Sequence, residues 1–122
     1  MPATYTIDVA RGLVVTRLWG RLTDEDLIDH QQRLRTDPEF DPGFRQFADF
    51  SDVEETTIAP EVIRELARTN PWGAGARRAM FAPSDLLFGL ARMFEMLDEQ
   101  LDEVRVFRNA DEARAWLGLD AD

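Results

Sequence analysis

Short segments in which hydrophobic residues alternate or cluster run along the whole chain, and the first two predict a β-hairpin. Thr4 to Val9 and Leu13 to Gly20 are rich in β-branched and aromatic residues, and only residues 10–12 separate them. A connection of this length commonly joins two antiparallel strands. In the second strand Val15 belongs to one face and Val14 to the other. The pattern leaves open which of these faces is the more uniformly apolar.

Four later segments have the spacing or the capping residues of helices. Thr23 precedes Asp26 at the spacing of a capping box, and Pro60 suits the first turn of a helix. Ser84 and Asn109 stand where an N-cap is expected. The predicted helices are Asp24 to about Arg35, Pro60 to Arg68, Asp85 to about Glu99, and a short helix between Asn109 and Gly118.

Three further apolar segments predict strands, and they complete the fold class. The segments are Phe44 to Phe50 (FRQFADF), Arg77 to Ala82 (RRAMFA) and Glu103 to Arg108 (EVRVFR). The first is apolar at nearly every position, which is typical of a central strand, and an acidic loop over residues 51–59 is predicted to follow it. The order ββαβαβαβα predicts a single-domain α/β fold with a mixed five-stranded sheet. The predicted core includes Val15, Phe47, Ile63, Leu66 and Trp116.

Composition limits the classes of partner. The chain has 122 residues, enough for one domain with a core, and a net charge of −10. Its 14 basic residues, all arginine, are scattered among 24 carboxylates, so nucleic acid and anionic membrane surfaces are poor partners. Cysteine is absent, which excludes disulfides and thiolate metal sites. The chain shows neither a membrane-spanning run nor a segment of signal-peptide type, so a cytoplasmic location is expected.

Residues that could support catalysis are few. His30 is the sole histidine, and Asp26 lies four positions before it on the predicted helix, where a carboxylate could orient an imidazole. The apolar positions of that helix are Leu27, Ile28 and Leu34, and His30 is expected to face solvent. The chain has no metal-ligand spacing and no phosphate-binding loop. We therefore expect no enzymatic activity, no cofactor and no metal.

Three stretches of sequence together resemble the SpoIIAA-like, or STAS, domains and their SEC14-like relatives. These stretches are WGRLTDEDL after the hairpin, ADFSDV at the end of the central strand, and EVRVFRNADEARAWL near the end of the chain. The likeness covers nearly the whole length. It implies a SpoIIAA-like (STAS-like) fold and a non-catalytic regulatory module that binds another protein or itself.

The resemblance also implies a candidate switch. STAS domains that antagonise anti-sigma factors carry a phosphorylatable serine just before the helix that follows the central strand. Aligning ADFSDV brings that segment near residues 57–60, where the serine is missing. Ser51, Thr56 and Thr57 are the nearby hydroxyls and form the candidate switch loop. Phosphorylation there would release a partner through added charge, although several glutamates surround the loop.

A second candidate site is an interface. Phe88 and Met96 fall on or beside the charged face of the longest predicted helix, and Trp72 lies in the loop before the preceding strand. Large apolar side chains on a charged face often mark a binding surface, although single exposed apolar residues are also common. A homodimer through Phe88, Met96 and Trp72 is the specific prediction.

The third candidate is an apolar pocket, which the SEC14-like relatives suggest. A space between the longest helix and the sheet could hold a lipophilic small molecule. Such residues could instead simply fill the core. The candidate lining residues are Met80, Phe81, Leu86, Leu87, Leu90 and Phe94.

Overall fold

The computed structural model describes residues 2–98 and 103–119 and shows the predicted order of elements. The strands are β1 (Ala3–Asp8), β2 (Leu13–Leu22), β3 (Arg45–Thr56), β4 (Arg77–Phe81) and β5 (Glu103–Phe107). The helices are α1 (Asp24–Thr36), α2 (Pro60–Arg68), α3 (Asp85–Leu97) and α4 (Ala110–Trp116). Among these residues no helix has the length and apolarity needed to cross a membrane.

The five strands form one mixed sheet in the order β1-β2-β3-β4-β5. β1 and β2 form the predicted antiparallel hairpin, and the other neighbouring pairs are parallel. α1, α2 and α3 each connect one strand to the next parallel strand, and all three connections progress in the same direction across the sheet. Because such connections are right-handed, the three helices lie on the same face of the sheet. α4 follows the last strand and packs on the opposite face, against β4 and β5.

The main difference from the predicted elements lies in β3, which continues to Thr56. The acidic segment that was predicted to be a loop from residue 51 onwards instead pairs with the second half of β2, for example Trp19 with Asp52 and Arg21 with Glu55. Val53 is buried while the carboxylates beside it are exposed. A strand with one solvated face can carry many charges, and this explains why the segment resembled a loop.

Strand alternation decides which apolar residues reach the core. Val14 and Leu18 face α1–α3 and are buried. Val15 points to the other face, where α4 covers β4 and β5 rather than β2, and it is 37% exposed. The prediction that Val15 lies in the core is therefore wrong. Phe47 is buried, as predicted, against Ala113 of α4.

The helix caps confirm the capping pattern of the sequence. The Thr23 hydroxyl accepts a hydrogen bond from the Asp26 backbone N–H, and the Asp26 carboxylate accepts one from the Thr23 N–H, which completes a capping box. Ser84 Oγ accepts from the Leu87 N–H, and Asn109 Oδ1 accepts from the N–H of Glu112. These bonds satisfy amides that would otherwise lack partners at the first turns.

Gly118 ends α4 in the left-handed region, with φ of 76°. The Leu119 N–H donates to the Arg114 carbonyl and the Gly118 N–H to the Ala115 carbonyl, which is the pattern of a Schellman cap. We expect Gly118→Ala to lower the free energy of unfolding by about 1 kcal/mol, because alanine is strained at positive φ. Urea denaturation measures this change. A matched Gly89→Ala variant, at a helical position with open space for a Cβ, should instead be neutral or stabilising.

Candidate functional site

The three helices on one face of the sheet leave a cavity above the strands. Its volume is about 100 Å³, and with its opening to solvent the depression takes up about 830 Å³. Apolar side chains form most of the wall. They include Leu18 and Leu22 from β2, Ile63 and Leu66 from α2, and Leu87 and Phe94 from α3.

Two alanines leave the space open. Ala48 lies in the first half of β3 and Ala91 lies in the middle of α3, and both line the cavity. Both side chains are buried, since Ala48 is 3% exposed and Ala91 is 6% exposed. Exposure to solvent therefore does not explain why small residues occupy these positions. Protein interiors are normally filled to crystal-like density. A leucine at either position would occupy much of this space.

The structure places four of the six predicted pocket residues in the wall, namely Met80, Leu87, Leu90 and Phe94. Phe81 follows Met80 in the same strand and therefore points to the opposite face. There its ring packs against Phe47, with centroids 6.3 Å apart. Leu86 is 57% exposed and lies outside the wall. The assignment of Phe81 and Leu86 to the pocket is wrong for these reasons.

A line of polar side chains crosses the floor of the cavity. Thr16, Gln46 and Arg78 come from β2, β3 and β4, and all are at least 94% buried. Gln46 Nε2 donates to Thr16 Oγ1 over 2.9 Å, and Arg78 Nε donates to Gln46 Oε1 over 2.9 Å. Gln46 and Arg78 are direct neighbours in the parallel register of β3 and β4. The sequence signal for this line was a polar residue at an inward position of an otherwise apolar strand, and the prediction from apolar residues did not include it.

Two aromatic rings hold the Arg78 guanidinium. Its Cζ lies 5.0 Å from the ring centroid of Trp72 and 5.3 Å from that of Phe94. Trp72 also meets Phe40 edge to face, with centroids 4.9 Å apart, and it is only 4% exposed. The prediction that Trp72 contributes to a surface interface is therefore wrong. Its role is to cover a buried cation, which a cation–π contact stabilises.

His30 faces the cavity and not the solvent, contrary to prediction. It is 8% exposed, and its ring meets Tyr5 edge to face with centroids 5.5 Å apart. Among the described residues no group forms a hydrogen bond with His30 Nε2. Asp26, the predicted orienting carboxylate, is occupied in the capping box of α1. The two residues therefore do not form the base–orienter pair that the sequence suggested.

The surroundings of His30 keep its imidazole neutral. Burial lowers the pKa of His30 to about 4, and the positive charges of Arg78 and Arg33 act in the same direction. Asp29 opposes this shift of the pKa. A neutral imidazole has one hydrogen-bond donor and one acceptor.

The candidate switch residues lie in the second half of β3 and directly after it. Ser51 is exposed, and its hydroxyl donates to Asp49 Oδ1 over 2.6 Å. The Thr56 hydroxyl oxygen is buried without a partner among the described residues, whereas Thr57 is exposed. Asp24 Oδ1 already accepts a hydrogen bond from the Ala59 N–H at the start of α2. The switch stays a prediction.

The outer face of α3 carries the remaining interface candidates. Met96 is 75% exposed. Phe88 is half-buried, and the Cζ atom of Arg108 lies 4.3 Å from the centroid of its ring. Arg108 also forms an ion pair with Asp85. Because Arg108 covers part of the ring, Phe88 exposes less apolar surface than expected. Dimerisation through Phe88 and Met96 stays a prediction.

Comparison with solved structures shows what the chain is similar to. No protein-family model and no curated protein matches the chain. The chain is similar to an uncharacterized protein of the DUF3478 family from Shewanella loihica PV-4, whose crystal structure has a SpoIIAA-like fold. The match has a TM-score of 0.63 at 16% identity and covers 94% of this chain and 93% of that one.

The chain has a SpoIIAA-like fold. The element order, the mixed sheet and the near-complete coverage agree with the fold that the sequence resemblance implied. At this identity a SpoIIAA-like fold carries no activity or ligand from one protein to the other. The function of this chain therefore depends on its own side chains.

Within the described ranges, no three histidine or acidic side chains cluster as metal ligands would. The chemistry of the site follows from its walls, which combine an apolar surface with a few hydrogen-bonding groups from the sheet and from α1. That combination is typical of small-molecule binding sites.

Proposed function

We propose that this protein is a non-catalytic binding module that holds a small, largely apolar ligand in the cavity between α1–α3 and the sheet. The observation that carries the proposal is the cavity itself, about 100 Å³ of space walled by leucine, isoleucine, alanine and phenylalanine side chains. A regulatory role would follow if ligand occupancy changes how the helices pack.

The apolar wall of the cavity supports this proposal. An apolar ligand that enters it would remove apolar surface of both partners from water, and this removal is favourable. The ligand would also gain close contacts with the surrounding side chains.

The size and opening of the cavity indicate the class of ligand. An apolar cavity of about 150 Å³ can hold a molecule of the size of benzene. The space here is somewhat smaller, but it opens towards solvent within a depression of about 830 Å³. A ligand with a short aliphatic or single-ring body fits this combination, with part of the molecule reaching into the opening.

Filling the cavity with a side chain tests the proposal. We expect 1-hexanol to bind the unmodified protein and to shift the methyl NMR resonances of Leu87 and Leu66. Ala91→Leu should reduce this binding at least about tenfold, because the added carbons occupy the same space. Ala115→Leu makes the same change on an exposed position of α4 and should leave binding unchanged.

Two results would contradict the proposal. One is an unmodified protein whose methyl resonances do not respond to 1-hexanol. The other is an Ala91→Leu variant that remains folded and binds 1-hexanol as well as the Ala115→Leu control does.

A further inference from the structure

β5 is an edge strand, and part of its backbone is directed away from the sheet. The Glu103 N–H donates a hydrogen bond to the Ala76 carbonyl at the start of β4. In a parallel ladder, alternate residues of one strand bond to the same neighbour, so the odd-numbered residues of β5 bond to β4. The N–H and C=O groups of Val104 and Val106 therefore point outward. Among the described residues no group bonds to them.

β5 lacks two features that commonly protect an edge strand. Its sequence, EVRVF, contains no proline, and its register with β4 contains no bulge. Val104 and Val106 are half-buried, so a further strand beside them would remove more apolar surface from water. The other edge strand, β1, is less open at its start, since Ala3 is only 4% exposed.

Half-buried aromatic rings lie on both faces of the sheet beside this edge. On one face, Arg105 Cζ lies 5.6 Å from the ring centroid of Trp116 in α4. On the other face, Phe88 of α3 lies beside Arg108, which directly follows β5. A strand added to β5 would therefore find apolar surface on either face to pack against.

The side chains of β5 that face α4 carry both signs of charge. Glu103 is exposed, and its Oε2 lies 3.7 Å from Nε of Arg77 in the neighbouring strand. Arg105 is exposed as well, and no described carboxylate forms an ion pair with it. Because residues 103 and 105 lie on the same face, a second β5 strand can present an opposite charge to each of them.

The charges select one register for two antiparallel β5 strands related by a two-fold axis. Val104 opposite Val106 places Arg105 opposite Arg105, and like charges directly opposite each other are destabilising. Val106 opposite Val106 places Arg105 opposite Phe107. Val104 opposite Val104 instead places Glu103 of each copy opposite Arg105 of the other, so the two-fold axis produces this attractive pair twice.

We propose that the protein forms a homodimer in which the β5 strands of two copies pair antiparallel, with Val104 opposite Val104, so that the two sheets become one continuous sheet. The partner is a second copy because the edge is complementary to itself in charge and in its outward backbone groups. Such an interface uses the same surface on both copies and closes at two chains. This inference does not depend on the cavity or on its ligand.

Charge reversal at the two positions tests the inference by sedimentation equilibrium. We expect the unmodified protein to have twice the mass of one chain. Glu103→Arg and Arg105→Glu should each raise the dissociation constant of the dimer at least about tenfold, because two attractive pairs become repulsive. The double variant should restore the dimer. The single changes shift the net charge in opposite directions, so a general effect of net charge does not explain a loss in both.

Two control variants and an exchange measurement locate the interface. Arg64→Glu makes the same change of charge at an exposed position of α2, and Met96→Asp places a charge on the outer face of α3. Both should remain dimeric. Amide hydrogens of Val104 and Val106 should exchange more slowly in the unmodified protein than in Arg105→Glu, because the second strand bonds to them. Thermal unfolding shows that each variant is folded.

Three results would overturn the inference. The first is an unmodified protein that is monomeric at the concentrations used for NMR. The second is a folded double variant that stays monomeric. The third is a dimer that Met96→Asp dissociates and the charge reversals do not, which would assign the interface to the outer face of α3.

Discussion

Replacing Trp72 by alanine is expected to lower the free energy of unfolding by about 3–5 kcal/mol, the largest effect of any single substitution considered for this chain. Trp72 is buried, packs edge to face against Phe40 and covers one side of the Arg78 guanidinium. Its removal would enlarge the cavity, which Trp72 lines, and take a cation–π contact from a buried charge.

Urea denaturation measures this loss, and Trp19→Ala is the matched control. Trp19 is only half-buried, and its ring lies 5.5 Å from the Arg17 guanidinium near the solvated end of β2. We expect the control to cost about 1 kcal/mol or less, because an exposed cation–π pair is worth less than a buried one. Equal losses in the two variants would show that Trp72 is not part of the buried core.

The stability of the protein is expected to fall by about 2 kcal/mol between pH 7.5 and pH 5 because of His30 alone. The pKa of His30 is about 4 in the folded protein, below the ordinary value of 6.5. As the pH falls below about 6.5, the unfolded chain binds a proton at this residue while the folded protein does not, so unfolding becomes more favourable. The loss continues until the pH reaches the folded pKa.

The composition of the chain limits which other groups titrate between pH 7.5 and pH 5. His30 is the sole histidine, so no second imidazole titrates there. Burial, together with the Asp37 carboxylate that accepts its hydrogen bond, raises the pKa of the neighbouring Tyr5 to about 12, well outside the window. Urea denaturation at a series of pH values should show the decline in the unmodified protein and a nearly flat profile in His30→Leu. A parallel decline in both would assign the effect to carboxylates instead.

The order of elements could be predicted because each local signal agreed with the final fold. Thr23, Ser84 and Asn109 are N-caps at the predicted positions, and the crossover helices connect parallel strands as expected. The extension of β3 could not be predicted from apolar content, since the residues beyond Ser51 are mostly acidic and face solvent. Only the pairing with the long β2 strand makes that segment a strand.

The candidate site was predicted only in part, because helix orientation depends on packing. Leu27, His30, Gln31 and Leu34 line the cavity, and their positions have the i, i+3, i+4, i+7 spacing of one helix face. Ile28, which the prediction counted among the apolar positions, is 49% exposed. A prediction from the apolar residues alone therefore chose the wrong buried face of α1 and placed His30 on the side that faces solvent. The same spacing, applied to polar residues as well, would have placed His30 inside.

A crystal structure of the protein grown with 6-bromo-1-hexanol, whose bromine can be located by anomalous scattering, tests the proposed binding site most directly. We predict bromine density between α3 and the sheet near Ala91. A structure in which Phe94 or its neighbours fill the space, with no bromine in the cavity at a concentration of ligand that saturates the crystal, would contradict the claim that this cavity is a binding site.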